Sequence, residues 1–201
     1  MTITINGNGT VTGVSVGGLP DGIVDTDMLA ASAVTAPKRG AGAILQVVQG
    51  IKKDTSSNST SAGYWYNTDV TLSITPSHAN NKILITGYVS VGVAGPQHNI
   101  GCGIHKAGTL IDNLGDAAGS RSRVPVTGDN MPDGGYTNAM SVINFEYLDT
   151  AGGTSAITYG IALRNPSSIS RTFKINYAET DTDSSSHYRA TSVITAMEVA
   201  A

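Results

Sequence analysis

From Ala43 onward, the apolar residues of this 201-residue chain recur with a period of two. That is the spacing of a strand buried on one face, whereas a helix would repeat every 3.6 residues. Val70, Leu72 and Ile74 alternate with Asp69, Thr71 and Ser73; Ile83, Ile85, Val89, Val91 and Val93 alternate with Lys82, Thr86, Tyr88 and Ser90. Ile143, Phe145 and Tyr147 oppose Asn144 and Glu146, and Ile157, Tyr159, Ile161 and Leu163 oppose Ala156, Thr158 and Ala162. Phe173, Ile175 and Tyr177 alternate with Thr172, Lys174 and Asn176. With further segments near 44–52, 98–106 and 188–199, this predicts about eight strands. Turns rich in Gly, Asn, Asp and Pro divide them, at Pro76–Asn81, Asp149–Gly153 and Asn165–Ser170. Eight antiparallel strands without intervening helices predict an all-β jelly roll or a related sandwich.

Two segments break the alternation. Residues 44–51 (ILQVVQGI) and 193–199 (VITAMEV) carry apolar or small side chains at successive positions. A strand apolar on both faces needs a second covering layer. Three protomers packed about a threefold axis supply one; the alternative is a strand buried within a single chain. Charged residues make up only 13% of the chain, against about 25% for an ordinary soluble domain, and there are 24 glycines. So little charge suits a surface hidden against copies of itself, and the expectation is a homotrimer.

The first forty-two residues have a different texture. Residues 2–16 (TITINGNGTVTGVSV) read as short extended pieces and tight turns, and 17–22 (GGLPDG) as a linker. Asp25 or Thr26 can cap one short helix running through Met28 and Leu29 and stopped before Pro37. The expected division is an extended arm over 1–42 and a β domain over 43–201.

A net charge of −3 and a pI near 5.7 leave no basic footprint for nucleic acid. The lone cysteine, Cys102, has no partner for an intrachain disulfide, which fits folding in a reducing cytoplasm. No charged segment followed by an apolar run opens the sequence, and no run reaches membrane-spanning length. The expected product is synthesised in the cytoplasm and inserts into no membrane.

Signals for chemistry are sparse. His98 and His105 flank Cys102, but their odd separation puts them on opposite faces of a regular strand, a poor arrangement for a metal. Glu179, Asp181 and Asp183 lack the glycine and distal Glu of a helix–loop–helix calcium site. Gly101-Cys102-Gly103 lacks the third glycine and following helix of a dinucleotide fingerprint. There is no G-x-S-x-G and no marked carboxylate dyad. No catalytic residue, metal or cofactor is therefore expected. The best binding candidates are Tyr64, Trp65 and Tyr66, which can stack on sugar faces or a partner protein, or else seal the edge of the core. The polar stretch 128–136 (GDNMPDGGY) is the second, with Asp129, Asn130, Asp133 and Tyr136 as its candidate contacts.

Three phrases carry a resemblance. GTVTGVSVGGLPDGIVDTDMLAASAVTAPK resembles the virion-attachment leader of tailed-bacteriophage fibre proteins, particularly those of marine and cyanobacterial phages. The stretch from AILQVVQG through TLSITPSHANNKILITGYVSVG resembles the opening of their C-terminal β domain, and TSVITAMEVA its last strand; residues 95–140 match neither. The resemblance implies a trimeric, jelly-roll-like tip domain on a virion. Leu19, Ile23, Val24, Met28 and Leu29 would then contact other virion proteins, and the outer loops a host surface glycan or protein. Phages reuse such modules, so the alternative is a capsid decoration or head-fibre protein that stabilises the shell or projects from it.

Overall fold

The computed structural model describes residues 4–5, 11–12, 29, 33–34, 38–93, 99–128 and 137–201. The chain divides into two compact units, Met1–Arg39 and Gly40–Ala201. In the first, β1 (Thr4–Ile5) pairs antiparallel with β2 (Val11–Thr12). The short helix expected between Asp25 and Pro37 lies outside the described residues, apart from Leu29, Ala33 and Val34.

The second unit is all β. In chain order its strands are β3 (Ile44–Lys52), β4 (Ser56–Thr60), β5 (Trp65–Ile74), β6 (Lys82–Val93), β7 (Gly101–Lys106), β8 (Thr109–Leu110), β9 (Val126–Thr127), β10 (Ser141–Thr150), β11 (Ile157–Arg164), β12 (Arg171–Ile175) and β13 (Ser192–Val199). They form two antiparallel sheets. One is ordered β3-β13-β6-β10, with β12 continuing the β13 side of β6 and carrying β4 at its edge. The other is ordered β5-β11-β7, with β8 and β9 following one another along the free side of β7. The long strands alternate between sheets along the chain, so that the first strand lies beside the last and the second beside the second-last. This is the double Greek key of a jelly roll.

Period-two patterning explains why the sheets face each other. Ile83, Ile85, Val89 and Val91 of β6 meet Val70, Leu72 and Ile74 of β5 and Tyr159, Ile161 and Leu163 of β11 in one continuous core. Phe145, Phe173, Ile175, Ile194, Cys102 and Ile104 complete it. Each fully buried aliphatic side chain contributes about 1.5–3 kcal/mol of transfer free energy. β4 (SSNST) carries no apolar residue and was not expected; pairing with β12 holds it, with Ser59 and Thr172 hydroxyls 2.7 Å apart.

Candidate functional site

The two sheets differ on their outward faces. On the β5-β11-β7 sheet that face carries Asn67, Thr71, Ser73 and Thr158, a polar surface stitched by a 2.7 Å contact between the Ser73 and Thr158 hydroxyls. On the β3-β13-β6-β10 sheet the register builds two largely apolar rows on either side of a polar one. Ile51, Val193 and Tyr88 lie abreast with Asn144 at the end of their row, followed one pleat on by Gln49, Thr195, Thr86 and Glu146, and then by Val47, Met197, Leu84 and Leu148. Ile44, Val47, Ile51, Val142 and Leu148 are each more than half exposed. An antiparallel sheet solvated on one side normally turns polar residues to the water, so this is the anomalous face of the molecule.

The aromatic triplet is split by the pleat. Tyr66 points inward and stacks on buried Phe173, with ring centroids 6.5 Å apart and planes 8° from parallel. Trp65 points outward across Gly103, where an added Cβ would lie 3.2 Å from the indole, and the Arg164 guanidinium sits 5.7 Å from its ring. Tyr64, just before the strand, stands in solvent at 68% exposure. Two of the three rings are thus engaged in packing, and Tyr64 alone is presented whole.

A second surface feature lies between β12 and β13. Asn176 turns the chain there with φ of 66°; its side-chain amide donates to the carbonyls of Lys52 (3.0 Å) and Asp54 (2.8 Å), and its Oδ1 accepts from Ser192 Oγ at 2.6 Å. The following residues cross over Gly92, where a Cβ would come within 2.5 Å of the Tyr177 carbonyl oxygen. A Tyr177–Arg189 bridge closes the excursion at its base. Farther out, the Thr180 amide donates to Thr137 O at 3.0 Å, and Asn138 Nδ2 donates to Ser186 O at 3.2 Å. The excursion is thereby fastened to residues that immediately follow the 128–136 stretch. It encloses a shallow cavity of about 260 Å³ lined by Thr180, Asp181, Thr182, Asp183, Ser184, His187, Tyr188 and Arg189. Arg189 Nη2 lies 2.6 Å from Asp181 Oδ2, and its guanidinium lies 5.7 Å from the Tyr177 ring centroid. His187 contacts Thr180 Oγ1 through Nε2 at 3.1 Å.

The buried ionisable groups are bound into the framework. Glu198 accepts from Gln46 Nε2, the Ser77 amide, Ser77 Oγ and Asn81 Nδ2 at 2.6–2.8 Å. Burial pushes its carboxyl upward, but the donors from Asn81, Gln46 and Ser77 outweigh this and hold it below the usual range. Lys106 Nζ lies 2.7 Å from Asp149 Oδ2, which also accepts from the Tyr159 hydroxyl at 2.7 Å, joining the two sheets. Lys52 pairs with Asp54 and Asp69 at 2.9 and 2.8 Å. Each of these charges is compensated locally, as a structural ion is.

Cys102 points into the core, and burial pushes its thiol up to about 12. His105 lies on the opposite, outward face of β7, packed over Gly160, where an added Cβ would lie 2.3 Å from its Nε2. Burial lowers its pKa, and Nδ1 accepts from the Gly108 amide at 3.3 Å. His98 lies outside the described residues. Among the described residues no three His, Cys, Asp or Glu side chains converge as a metal-ligand set. Asp181, weighed from sequence as part of a calcium-like loop, is paired with Arg189.

Of the other sequence candidates, Asp129, Asn130, Asp133, Tyr136, Leu19, Ile23, Val24 and Met28 lie outside the described residues, and Leu29 is exposed. Tyr188 and Arg189 fall in no motif of the sequence. Their signal was available: an aromatic and a cation embedded in a run of Asp, Ser and Thr.

No protein-family model matches the chain, and no curated protein matches it. Among solved structures, a chain from "Structure of infectious bursal disease virus Gt strain" is similar at 13% identity and a TM-score of 0.25. The match covers 77% of this chain and 42% of that one. A likeness of this size bears on neither fold nor function, and the jelly roll rests on strand order and register alone.

Proposed function

We propose that this chain is a structural protein of a tailed-bacteriophage particle, a homotrimeric fibre or spike subunit. Its arm over residues 1–42 attaches it to other virion proteins, and its β domain is displayed toward the host surface. It acts by binding and display, without catalysis, metal or cofactor.

The observation that supports this reading best is the contrast between the two outward faces. The polar face of β5-β11-β7 suits water, whereas Val47, Ile51, Leu84, Met197 and Leu148 on the other sheet suit burial against copies of the chain. A flat apolar sheet face can close by twofold or threefold symmetry. The resemblance of the leader and of the first and last strands to phage fibre proteins favours the threefold. A trimer presents three copies of every outer loop, which multiplies a weak single-site affinity through effective concentration. Host contact is assigned to Tyr64, the ring of the triplet that is presented whole, and to the 128–136 stretch with Asp129, Asn130, Asp133 and Tyr136.

The test is localisation on intact particles with antibodies raised against the β domain. Labelling of tail fibres, together with poor adsorption by phage lacking the protein, is the expected result. Labelling over the shell with normal adsorption moves the protein to capsid decoration. Particles that carry none of it contradict a virion role.

A further inference from the structure

We propose that the cavity between β12 and β13 is a subsite for one uncharged sugar ring, with Tyr188 as its stacking platform and Asp183 and Arg189 as its hydroxyl ligands. This deepens the display reading by naming a ligand class and a place, and depends on that reading only for its biological role.

Size comes first. About 260 Å³ falls just below the range of drug-sized pockets, which fits a single ring. Chemistry comes second. A sugar offers an apolar C–H face and a rim of hydroxyls, so it needs a flat aromatic beside polar groups that both donate and accept. Tyr188 is 72% exposed, a high value for a large aromatic, and it borders the cavity. Asp183 lines the same cavity, and no hydrogen bond or ion pair engages its carboxylate among the described residues. Arg189 is held by Asp181 and lies over Tyr177, which fixes its guanidinium and leaves further N–H groups to donate.

The site is also preorganised. The Asn176 turn, the Tyr177–Arg189 bridge, the Thr180–Thr137 bond and the His187–Thr180 contact fix the excursion before any ligand arrives. Little ordering then remains to be done on binding. Charge selects the class. Two carboxylates, Asp181 and Asp183, line the cavity against the one guanidinium of Arg189, so anionic sugars are disfavoured.

The experiment uses the full chain and ligand-observed NMR with the methyl glycosides of glucose, galactose, mannose and N-acetylglucosamine, and glucuronic acid as the anionic control. At least one neutral glycoside should bind with Kd on the order of millimolar, the range open to so small a ligand. Binding should be unchanged by EDTA, fall at least tenfold in Tyr188→Ala and in Asp183→Asn, and persist in Tyr188→Phe. Circular dichroism and the solution mass of each variant should match the parent. Overturning results are no binding by any neutral glycoside, tighter binding of glucuronic acid, loss with EDTA, or full binding by both Tyr188→Ala and Asp183→Asn. Should Tyr188→Ala misfold, Asp183→Asn and Tyr188→Phe decide the matter. None of these outcomes changes the expected mass of the assembly, so the subsite and the trimer stand or fall separately.

Discussion

Asn81 Nδ2 donates to Glu198 Oε1 across 2.6 Å, tying the turn between β5 and β6 to the end of the last strand. Glu198 is fully buried and holds three further donors from Gln46 and Ser77, so this one carboxylate organises the end of the sandwich. Replacing it by Ala strands those donors and should cost roughly 3 kcal/mol in urea unfolding. Its folded pKa lies below the ordinary 4.5, so its stabilisation is complete above that value and is lost as pH falls toward the folded pKa. Unfolding free energy measured from pH 6 downward should therefore decline more steeply below about 4.5 in the parent than in Glu198→Gln.

The split aromatic triplet gives opposed expectations for neighbouring residues. Tyr66→Ala removes the stack on Phe173 and opens a core cavity, which should cost about 3 kcal/mol. Tyr64→Ala touches an exposed side chain and should change stability by no more than about 0.5 kcal/mol. If Tyr64 meets the host, phage carrying Tyr64→Ala assemble normally and adsorb less. Denaturation midpoints and an adsorption assay on the same two variants check both halves.

Cys102 should resist thiol reagents in the folded protein. Its side chain is fully buried, and its pKa is pushed up to about 12, so thiolate is scarce at pH 8 and access requires opening of the sheet. Labelling by a disulfide reagent at pH 8 should track global unfolding across a denaturant series. Rapid labelling without denaturant would mean that β7 is not packed as described.

Much of this architecture was legible because the core strands are amphipathic. Alternation marked β5, β6, β10, β11 and β12 by their inward residues, and the doubled apolar pattern of 44–51 and 193–199 marked the strands whose outer face is apolar. Illegible elements had other causes. β4 has only Ser, Asn and Thr, and β8 and β9 are two residues each, so neither hydropathy nor length reveals them. Tyr64, Trp65 and Tyr66 read as one cluster in sequence, yet the pleat sends Trp65 and Tyr66 to opposite faces. The cavity at 180–189 depends on Asn176 reversing the chain and on Gly92 letting it cross the sheet, and neither residue announces that role alone.

Charges placed on the apolar face should separate folding from assembly. Val47 and Leu148 are more than half exposed, so Val47→Asp and Leu148→Lys should leave urea unfolding of the β domain within about 1 kcal/mol of the parent at equal subunit concentration, once dissociated. Both should weaken self-association, read as a concentration-dependent shift toward monomer in sedimentation. The same charges on the polar face, at Ser73 or Thr158, should leave association intact.

Self-association through the β3-β13-β6-β10 face is the central claim, and the solution mass of the purified chain tests it most directly. Light scattering coupled to size exclusion at micromolar concentration should give three times the 20.6 kDa of one chain, falling toward one chain in Leu148→Lys. A stable species of 20.6 kDa in the parent protein would contradict it.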